Sequence, residues 1–222
     1  MTGLILKPKG LSDEFIRLGN GAGDWSRIES GLRVAGVLRT AERMTAYSDC
    51  EPWHRGGGET YVADAIIEVA GGSESSRHVI AKAVVSFATS LEAKLEVLLT
   101  RRAMLTKLGI AVPELYSARD AMVLEEFIDR PIGETDLADE GILQQVGCIA
   151  AKLDCSGFTT LSFLSDMRVK DGCLYYVDFG FDLGEPSGSR TKSALHAIEK
   201  SVPSEHVDSC LRSYSVTLSR EV

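Results

Sequence analysis

Short stretches rich in Val, Ile and Tyr, separated by polar turns, recur through the first half of the chain. Such stretches are typical of β-strands, because β-branched and aromatic side chains pack well on a pleated sheet. Two of them flank the polar turn at 71–76 and are expected to pair as antiparallel strands. The region Gly31–Thr45 has a mixed pattern that is also compatible with a strand. The predicted strands are Tyr61–Val69, Val79–Val85, Val112–Tyr116 and Ala121–Ile128.

Helical periodicity appears once among these strands and prevails after them. Leucines recur along one stripe from Leu91 to Leu108, which predicts an amphipathic helix that ends at Gly109. Strands with one helix therefore come first, and helices come later, which predicts an α+β fold with a sheet-rich first part and a helical second part. The later helices are predicted over Leu137–Leu153, Thr191–Lys200 and Ser204–Leu218.

A tight β-hairpin is predicted between Asp166 and Asp178. Its centre, Asp171-Gly172, is a strong signal for a two-residue type I′ turn. With a two-residue loop, Ser165 faces Asp178 and Asp166 points to the opposite side of the ribbon. A three-residue loop or a bulge would instead set Asp166 directly against Asp178. In both registers the two carboxylates lie at the open end of the hairpin.

Carboxylates that converge repel each other unless a cation or a proton lies between them. A divalent metal ion that holds nucleotide phosphates suits such a pair, because hard cations prefer oxygen ligands. Asp166 and Asp178 are therefore candidate metal ligands and candidate catalytic residues.

A lysine in the middle of a predicted strand, Lys82, needs an explanation because apolar residues flank it on both sides. An ammonium group is not buried without a partner. An edge-strand lysine that reaches solvent is the ordinary explanation. Glu92 and Glu96 on the following helix offer another, because they lie one turn apart, repel each other, and one gains by pairing with Lys82.

Composition limits the remaining classes of function. The chain has 222 residues, a formal net charge of −8 and no apolar run near the about 20 residues that a membrane span needs. The acidic balance argues against general nucleic-acid binding. The five cysteines form no C-x-x-C pair and the four histidines are scattered, so we expect free thiols, no zinc site and a cytoplasmic location.

From about Gly56 to Leu218 the chain resembles the protein-kinase-like superfamily. Val79-Ile-Ala-Lys82 is similar to the strand that carries the nucleotide-binding lysine, and Asp178-Phe-Gly matches the metal-binding motif. The stretch from Leu108 to Pro113 with Val123-Leu-Glu-Glu-Phe127 resembles the hinge of aminoglycoside-phosphotransferase-type kinases. The short ending after Asp178 is similar to small atypical kinases.

The catalytic loop departs from the family pattern, in which an Asp lies five positions before an Asn. Asp166 occupies the asparagine position and can still bind a metal. The aspartate position falls on Leu161 or, with a one-residue deletion, on Ser162, and neither is a competent base. The family pattern also has a histidine two positions before the aspartate, and this position falls on Thr159 or Thr160. The loop therefore has its metal ligands without the usual general base.

The resemblance implies a bilobal protein-kinase-like fold, with an N-lobe at 1–124 and a compact helical C-lobe at 125–222. It implies ATP and Mg²⁺ as cofactors, a metal held by Asp166 and Asp178, and a hydroxyl acceptor, a small molecule or a protein, that the sequence does not name. The residues implied to bind nucleotide are Lys82, its partner Glu96 in preference to Glu92, Gly56, Gly57 and Gly58 around the phosphates, and Glu125 at the hinge.

Two alternatives stay open at this point. The first is a pseudokinase, a nucleotide-binding or scaffolding module without turnover. The second is an α+β domain unrelated to kinases, in which Asp178 is only a turn residue.

Overall fold

A computed structural model describes residues 29–46, 60–70, 77–86, 91–119, 122–178, 183–184 and 186–220. The helices are α1 (29–34), α2 (Leu91–Lys107), α3 (Glu134–Leu137), α4 (Glu140–Cys155), α5 (Ser193–Ser201) and α6 (Ser204–Arg220). The strands are β1 (Arg43–Ala46), β2 (Thr60–Ala70), β3 (Arg77–Ser86), β4 (Leu115–Arg119), β5 (Met122–Glu126), β6 (Met167–Lys170) and β7 (Cys173–Tyr176). This content is α+β, as predicted.

The chain divides into two compact units. The first comprises Met1–Val97 and Pro113–Phe127, and the second comprises Leu98–Val112 and Ile128–Val222. The second unit therefore includes most of α2. No helix in the described ranges is long and apolar enough to cross a membrane.

The first unit contains a five-stranded antiparallel sheet in the order β1-β2-β3-β5-β4. The predicted antiparallel pairing of β2 with β3 is confirmed, with Tyr61 opposite Val85. The strand predicted at Val112–Tyr116 is displaced, because β4 begins only at Leu115. Pro113 has no backbone N–H to donate to a ladder, which explains the later start.

Only part of Gly31–Thr45 is a strand, so that prediction was partly wrong. Residues 29–34 form helix α1, and the strand β1 begins at Arg43. A Cβ atom at Gly31 would lie 2.6 Å from Leu124 Cδ1, and Leu32 is fully buried. The missing side chain at Gly31 thus lets α1 pack closely on the sheet.

Helix α4 lies in the core of the second unit and packs against α5 and α6. The prediction placed its start at Leu137, but it begins at Glu140. The Asp139 carboxylate accepts hydrogen bonds from the Gly141 and Ile142 amides at 2.7 and 3.1 Å, which caps the helix there. A side chain at Gly147 would collide with the backbone of α6 at Cys210, so the close packing of the two helices requires glycine.

Helix α2 and the two C-terminal helices follow their predicted spans within a few residues. In α2, Leu105 is fully buried, and Gly109 ends the helix with a φ of +66°. Helix α5 begins at Ser193 rather than Thr191, because the Thr191 amide donates to the Asp154 carbonyl at 2.9 Å and this bond holds the residue outside the helix.

Strands β6 and β7 form the predicted hairpin with a two-residue loop. Lys170 lies opposite Cys173. Asp171 and Gly172 have φ angles of +51° and +74°, as a type I′ turn requires. This register excludes the three-residue loop and the bulge that the sequence left open.

Candidate functional site

The β6–β7 hairpin is held along both of its edges. On the β6 edge the Val169 amide donates to the Arg130 carbonyl at 2.8 Å, and on the β7 edge the Tyr176 amide donates to the Ala111 carbonyl at 2.9 Å. One face of the ribbon, with Met167 and Leu174 among its residues, is buried in the core of the second unit. The hairpin is therefore a rigid base for whatever lies at its ends.

The turn of the hairpin is fixed to helix α4 by one side chain. Gln145 donates from Nε2 to the Gly172 carbonyl at 2.9 Å and accepts from the Leu174 amide at Oε1, also at 2.9 Å. The Gln145 side chain thus donates one hydrogen bond to the hairpin backbone and accepts another from it, as the backbone of a neighbouring strand would. Sequence reasoning missed Gln145, because nothing in the local sequence relates it to a turn 27 residues later.

Asp166 and Asp178 lie at the open end of the hairpin, as predicted. The Val177 amide donates to the Asp166 carbonyl at 2.8 Å, which extends the ladder one position and leaves Ser165 as the neighbour of Asp178. Asp166 is 0% exposed, whereas Asp178 is half-buried. Asp178 is thus the more accessible of the two carboxylates.

Arg168 lies near the open end of the hairpin and was not singled out from the sequence. Its Nη1 atom donates to the carbonyls of Ser165 and Met167, both at 2.8 Å. Burial lowers the pKa of the Arg168 guanidinium, and the charges of Asp178 and then Asp166 oppose that change. The Arg168 guanidinium therefore lies close enough to the open end of the hairpin to interact electrostatically with both carboxylates.

The Tyr176 hydroxyl lies on the core side of the same site. It makes a long contact of 3.5 Å to Asp166 Oδ2 and one of 3.2 Å to Thr160 Oγ1. Burial raises the pKa of the Tyr176 phenol, and the charge of Asp166 raises it further. The phenol therefore stays protonated and can serve as a hydrogen-bond donor to the carboxylate.

The two positions expected for a catalytic base contain no base. Leu161 is 84% exposed. The Ser162 carbonyl accepts from the Asp166 amide and from the Ser165 hydroxyl, both at 2.9 Å, in a tight turn. Thr160 occupies one of the two positions expected for the family's histidine, and its backbone amide donates to Ser193 Oγ at 2.9 Å. The loop is thus well ordered by hydrogen bonds but has no titratable group at 161 or 162.

Asp154, a nearby carboxylate that could replace the missing base, is engaged in the fold. It is 1% exposed. Its Oδ1 accepts from the Thr191 hydroxyl and the Ala194 amide, and its Oδ2 accepts from the Leu195 amide and the Tyr214 hydroxyl, at 2.8–3.0 Å. A carboxylate with four donors is structural, so Asp154 does not fit the role of a substitute base. Asp182, the other carboxylate near the hairpin in sequence that could take this role, lies outside the described residues.

Lys82 is described through its backbone alone. It lies in β3 with Asp64 opposite on β2 and Val123 opposite on β5. Because β3 is paired on both sides, the explanation of Lys82 as an edge-strand residue is wrong. Asp64 is thus the residue directly opposite Lys82 on β2, and Glu96, the partner expected from the sequence, is exposed.

The remaining predicted site residues divide into two groups. Glu125 lies in β5 and is 1% exposed. Gly56, Gly57 and Gly58 lie outside the described residues, as do Phe179 and Gly180 of the Asp-Phe-Gly motif. Their roles stay predictions.

The donor chemistry at the hairpin end fits a magnesium ion. Mg²⁺ is usually bound by one or two carboxylates, with water and substrate phosphates completing six ligands. Asp166 and Asp178 could supply those two carboxylates. The described residues contain no cluster of three or more His, Cys, Asp or Glu that could hold a metal, so a site here would be completed by phosphate and water.

No protein-family model matches the chain, and no curated protein sequence matches it significantly. Among solved structures, the macrolide 2′-phosphotransferase MphH from Brachybacterium faecium is similar, with 13% identity, a TM-score of 0.47 and coverage of 74% of this chain and 81% of that one. The APH(2″)-IIa ternary complex with streptomycin and ATP gives 12% identity, a TM-score of 0.44 and coverage of 88% and 87%. ADP-bound aminoglycoside phosphotransferase APH(2″)-Ib gives 12% identity, a TM-score of 0.40 and coverage of 88% of this chain and 86% of that one.

At 12–13% identity and TM-scores below 0.5, the likeness carries no functional weight. Any functional conclusion has to come from the residues of this chain.

Proposed function

We propose that the chain is an ATP-binding phosphotransferase that acts on a hydroxyl acceptor. The observation that carries the proposal is the open end of the β6–β7 hairpin, where Asp166 and Asp178 lie at the adjoining ends of the two strands. An acidic pair at the end of a rigid hairpin is an arrangement that can hold a metal–phosphate complex.

Each residue has a separate task in this proposal. Asp178, the more accessible carboxylate, and Asp166 would hold Mg²⁺, which supplies charge neutralisation to the phosphates when bound. Lys82 would bind the α- and β-phosphates, with Glu96 orienting its ammonium group. Tyr176 donates toward Asp166 and keeps that carboxylate in place.

The missing base does not rule out turnover. Phosphoryl transfer passes through a loose transition state, and positioning with charge stabilisation supplies most of the catalysis. General-base help is typically worth about 10²–10⁴-fold. An acceptor with an acidic hydroxyl would therefore still react, although more slowly than with a base.

A nucleotide-binding pseudokinase is the second candidate, and specific observations favour it. The aspartate position is an exposed leucine, Leu161, and Asp166 is wholly buried. Asp154, the described carboxylate considered as a substitute base, is saturated with hydrogen bonds. In this case the hairpin end binds nucleotide without transferring phosphate.

Thermal unfolding with Mg-ATP tests nucleotide binding. ATP at ten times its Kd stabilises the folded state by about 1.4 kcal/mol, which raises Tm by about 3–6 °C for a chain of this size. Lys82→Ala and Asp178→Asn should each reduce the rise. Lys107→Ala and Asp208→Asn, at exposed helical positions, are matched controls that should keep it. No rise in the wild type at millimolar ATP overturns the proposal.

Consumption of ATP separates the two candidates. The phosphotransferase consumes ATP faster with some member of a panel of hydroxylated acceptors than without one. A protein that shows the Tm rise, but no acceptor-dependent consumption across that panel, is the pseudokinase.

A further inference from the structure

We propose that the chain carries a phosphoryl acceptor of its own, the hydroxyl group of Ser165, and that this side chain is phosphorylated by ATP bound at the same hairpin. The inference rests on the proposed function, because it takes the nucleotide site at Asp166 and Asp178 as given. It goes further by naming an acceptor and a modification site. Ser165 is exposed, as an acceptor has to be.

The register of the hairpin places Ser165 across the ribbon from Asp178. The Val177 amide donates to the Asp166 carbonyl at 2.8 Å, in continuation of the β6–β7 ladder. This pair carries the hydrogen bond, so the next pair outward, Ser165 and Asp178, is of the non-hydrogen-bonded type. In such pairs the two side chains lie closest together and on the same face of the ribbon.

The ladder ends at this pair and does not close over it. The Asp166 amide donates to the Ser162 carbonyl at 2.9 Å, within the preceding turn, and not across the ribbon. Ser165 and Asp178 therefore lie at the open end of the hairpin. A phosphate group held by a metal ion on Asp178 would have to lie at this end.

Two hydrogen bonds fix the orientation of Ser165. Its Oγ donates to the Ser162 carbonyl at 2.9 Å, and its own carbonyl accepts from Arg168 Nη1 at 2.8 Å. The hydroxyl proton is thus directed at a carbonyl, and the two lone pairs of the oxygen point away from it. Arg168 also interacts electrostatically with Asp178, which places Ser165 and Asp178 in one small region around the guanidinium.

The reaction is a displacement at the γ-phosphorus of ATP. The Ser165 oxygen forms a bond to that phosphorus, and the bond between the phosphorus and the oxygen that bridges it to the β-phosphate breaks. ADP leaves with the bonding electron pair, and the hydroxyl proton passes to water. The products are phosphoserine at position 165, ADP and a proton.

The missing general base matters less for an internal acceptor than for an external one. General-base help is typically worth about 10²–10⁴-fold. Well-oriented intramolecular reactions reach effective molarities of about 10⁵–10⁸ M. An external acceptor has to gain this proximity by binding, whereas Ser165 has it from the fold. A site with Leu161 and Ser162 at the base positions is therefore better suited to an acceptor within the chain.

The experiment locates phosphate on the full chain. The protein is treated with phosphatase, separated from it and incubated with Mg-ATP, and its peptides are then sequenced by tandem mass spectrometry. This measurement on the wild type does not depend on the folding of any variant. Ser165→Ala removes the acceptor, and Asp178→Asn removes a metal ligand and so reveals a contaminating kinase. Ser215→Ala, at an exposed position on α6, is the matched control.

We expect phosphate on Ser165 in the wild type and in Ser215→Ala, approaching one group per chain. Ser165→Ala and Asp178→Asn should lose this phosphate. The rate per chain should not change when the protein is diluted, because acceptor and nucleotide belong to the same molecule. The inference is overturned by a wild type without phosphate on Ser165, by undiminished labelling of Asp178→Asn, or by a rate per chain that falls on dilution.

Failure of this inference is distinguishable from failure of the proposed function, because the rise in Tm with Mg-ATP reports the nucleotide site separately. A rise in Tm without phosphate on Ser165 overturns the inference and leaves the proposed function standing. Neither a rise nor phosphate overturns both. Phosphate on Ser165 supports both, even where no external acceptor speeds the consumption of ATP, because a pseudokinase transfers no phosphate at all.

Discussion

Replacement of Asp154 by asparagine should unfold the protein more readily, although the two side chains have nearly the same shape. The Asp154 carboxylate accepts from two hydroxyls and from the Ala194 and Leu195 amides at the start of α5. Each oxygen takes one hydroxyl and one backbone amide. An asparagine has one oxygen, so its NH₂ group must face one of those amides.

The magnitude follows from that mismatch. A hydroxyl can rotate and accept from the new NH₂ group, but a backbone N–H cannot, so one buried donor is left unsatisfied at about 1–3 kcal/mol. The two bonds that remain lose their ionised acceptor, and the positive end of α5 loses a negative charge. We expect a total loss of about 3 kcal/mol in the free energy of unfolding, since Asp154 is 1% exposed.

Urea unfolding followed by circular dichroism measures the change, with unchanged m-values as the condition for a two-state comparison. Asp208→Asn, on an exposed part of α6, is the matched control and should change stability by less than about 0.5 kcal/mol. A loss below about 1 kcal/mol in Asp154→Asn would refute the structural role of Asp154. Normal stability combined with the loss of ATP turnover would also refute this structural role, and Asp154 would then be a candidate catalytic base.

Two further predictions concern the site and the pH dependence of stability. If the chain turns over ATP, Asp178→Ala should abolish turnover, while Leu161→Asp should raise turnover or leave it unchanged; activity that survives Asp178→Ala would locate the reaction elsewhere. The Gly133 amide and Arg130 lower the pKa of Asp136 from its usual 3.8, against the opposing effect of burial. The stability that these bonds contribute is therefore present above about pH 4 and is lost as the pH falls further, so the difference in unfolding free energy between wild type and Asp136→Asn should shrink between pH 5 and pH 2.

The local elements were predictable because their signals are local. Periodicity located α2, and Asp171-Gly172 predicted the type I′ turn and, through it, the register of the hairpin. The same information could not show that β3 has a neighbour on both sides, because strand order depends on distant parts of the chain. Asp64 was consequently missed as the residue opposite Lys82.

The electrostatics of the site were harder to predict than its acidic residues. The position of Arg168 depends on two carbonyls whose direction is set by the turn that ends at Asp166. The donors to Asp154 come from residues 37–60 positions later in the chain. Such contacts arise from packing of helices, and a single sequence without its fold does not contain them in readable form.

The Gln145 side chain has a consequence for how this protein tolerates changes in length. An exposed Asp-Gly turn is ordinarily a place where a chain accepts an extra residue. Here an insertion between Asp171 and Gly172 would have to break the pairing of Gln145 with Gly172 and Leu174, or else slip one strand past the other. A slip by one position exchanges the two faces of a strand, so Asp178 would no longer lie opposite Ser165. Gln145, which lies on α4 and makes no contact with Asp166 or Asp178, thus fixes the number of residues between these two carboxylates.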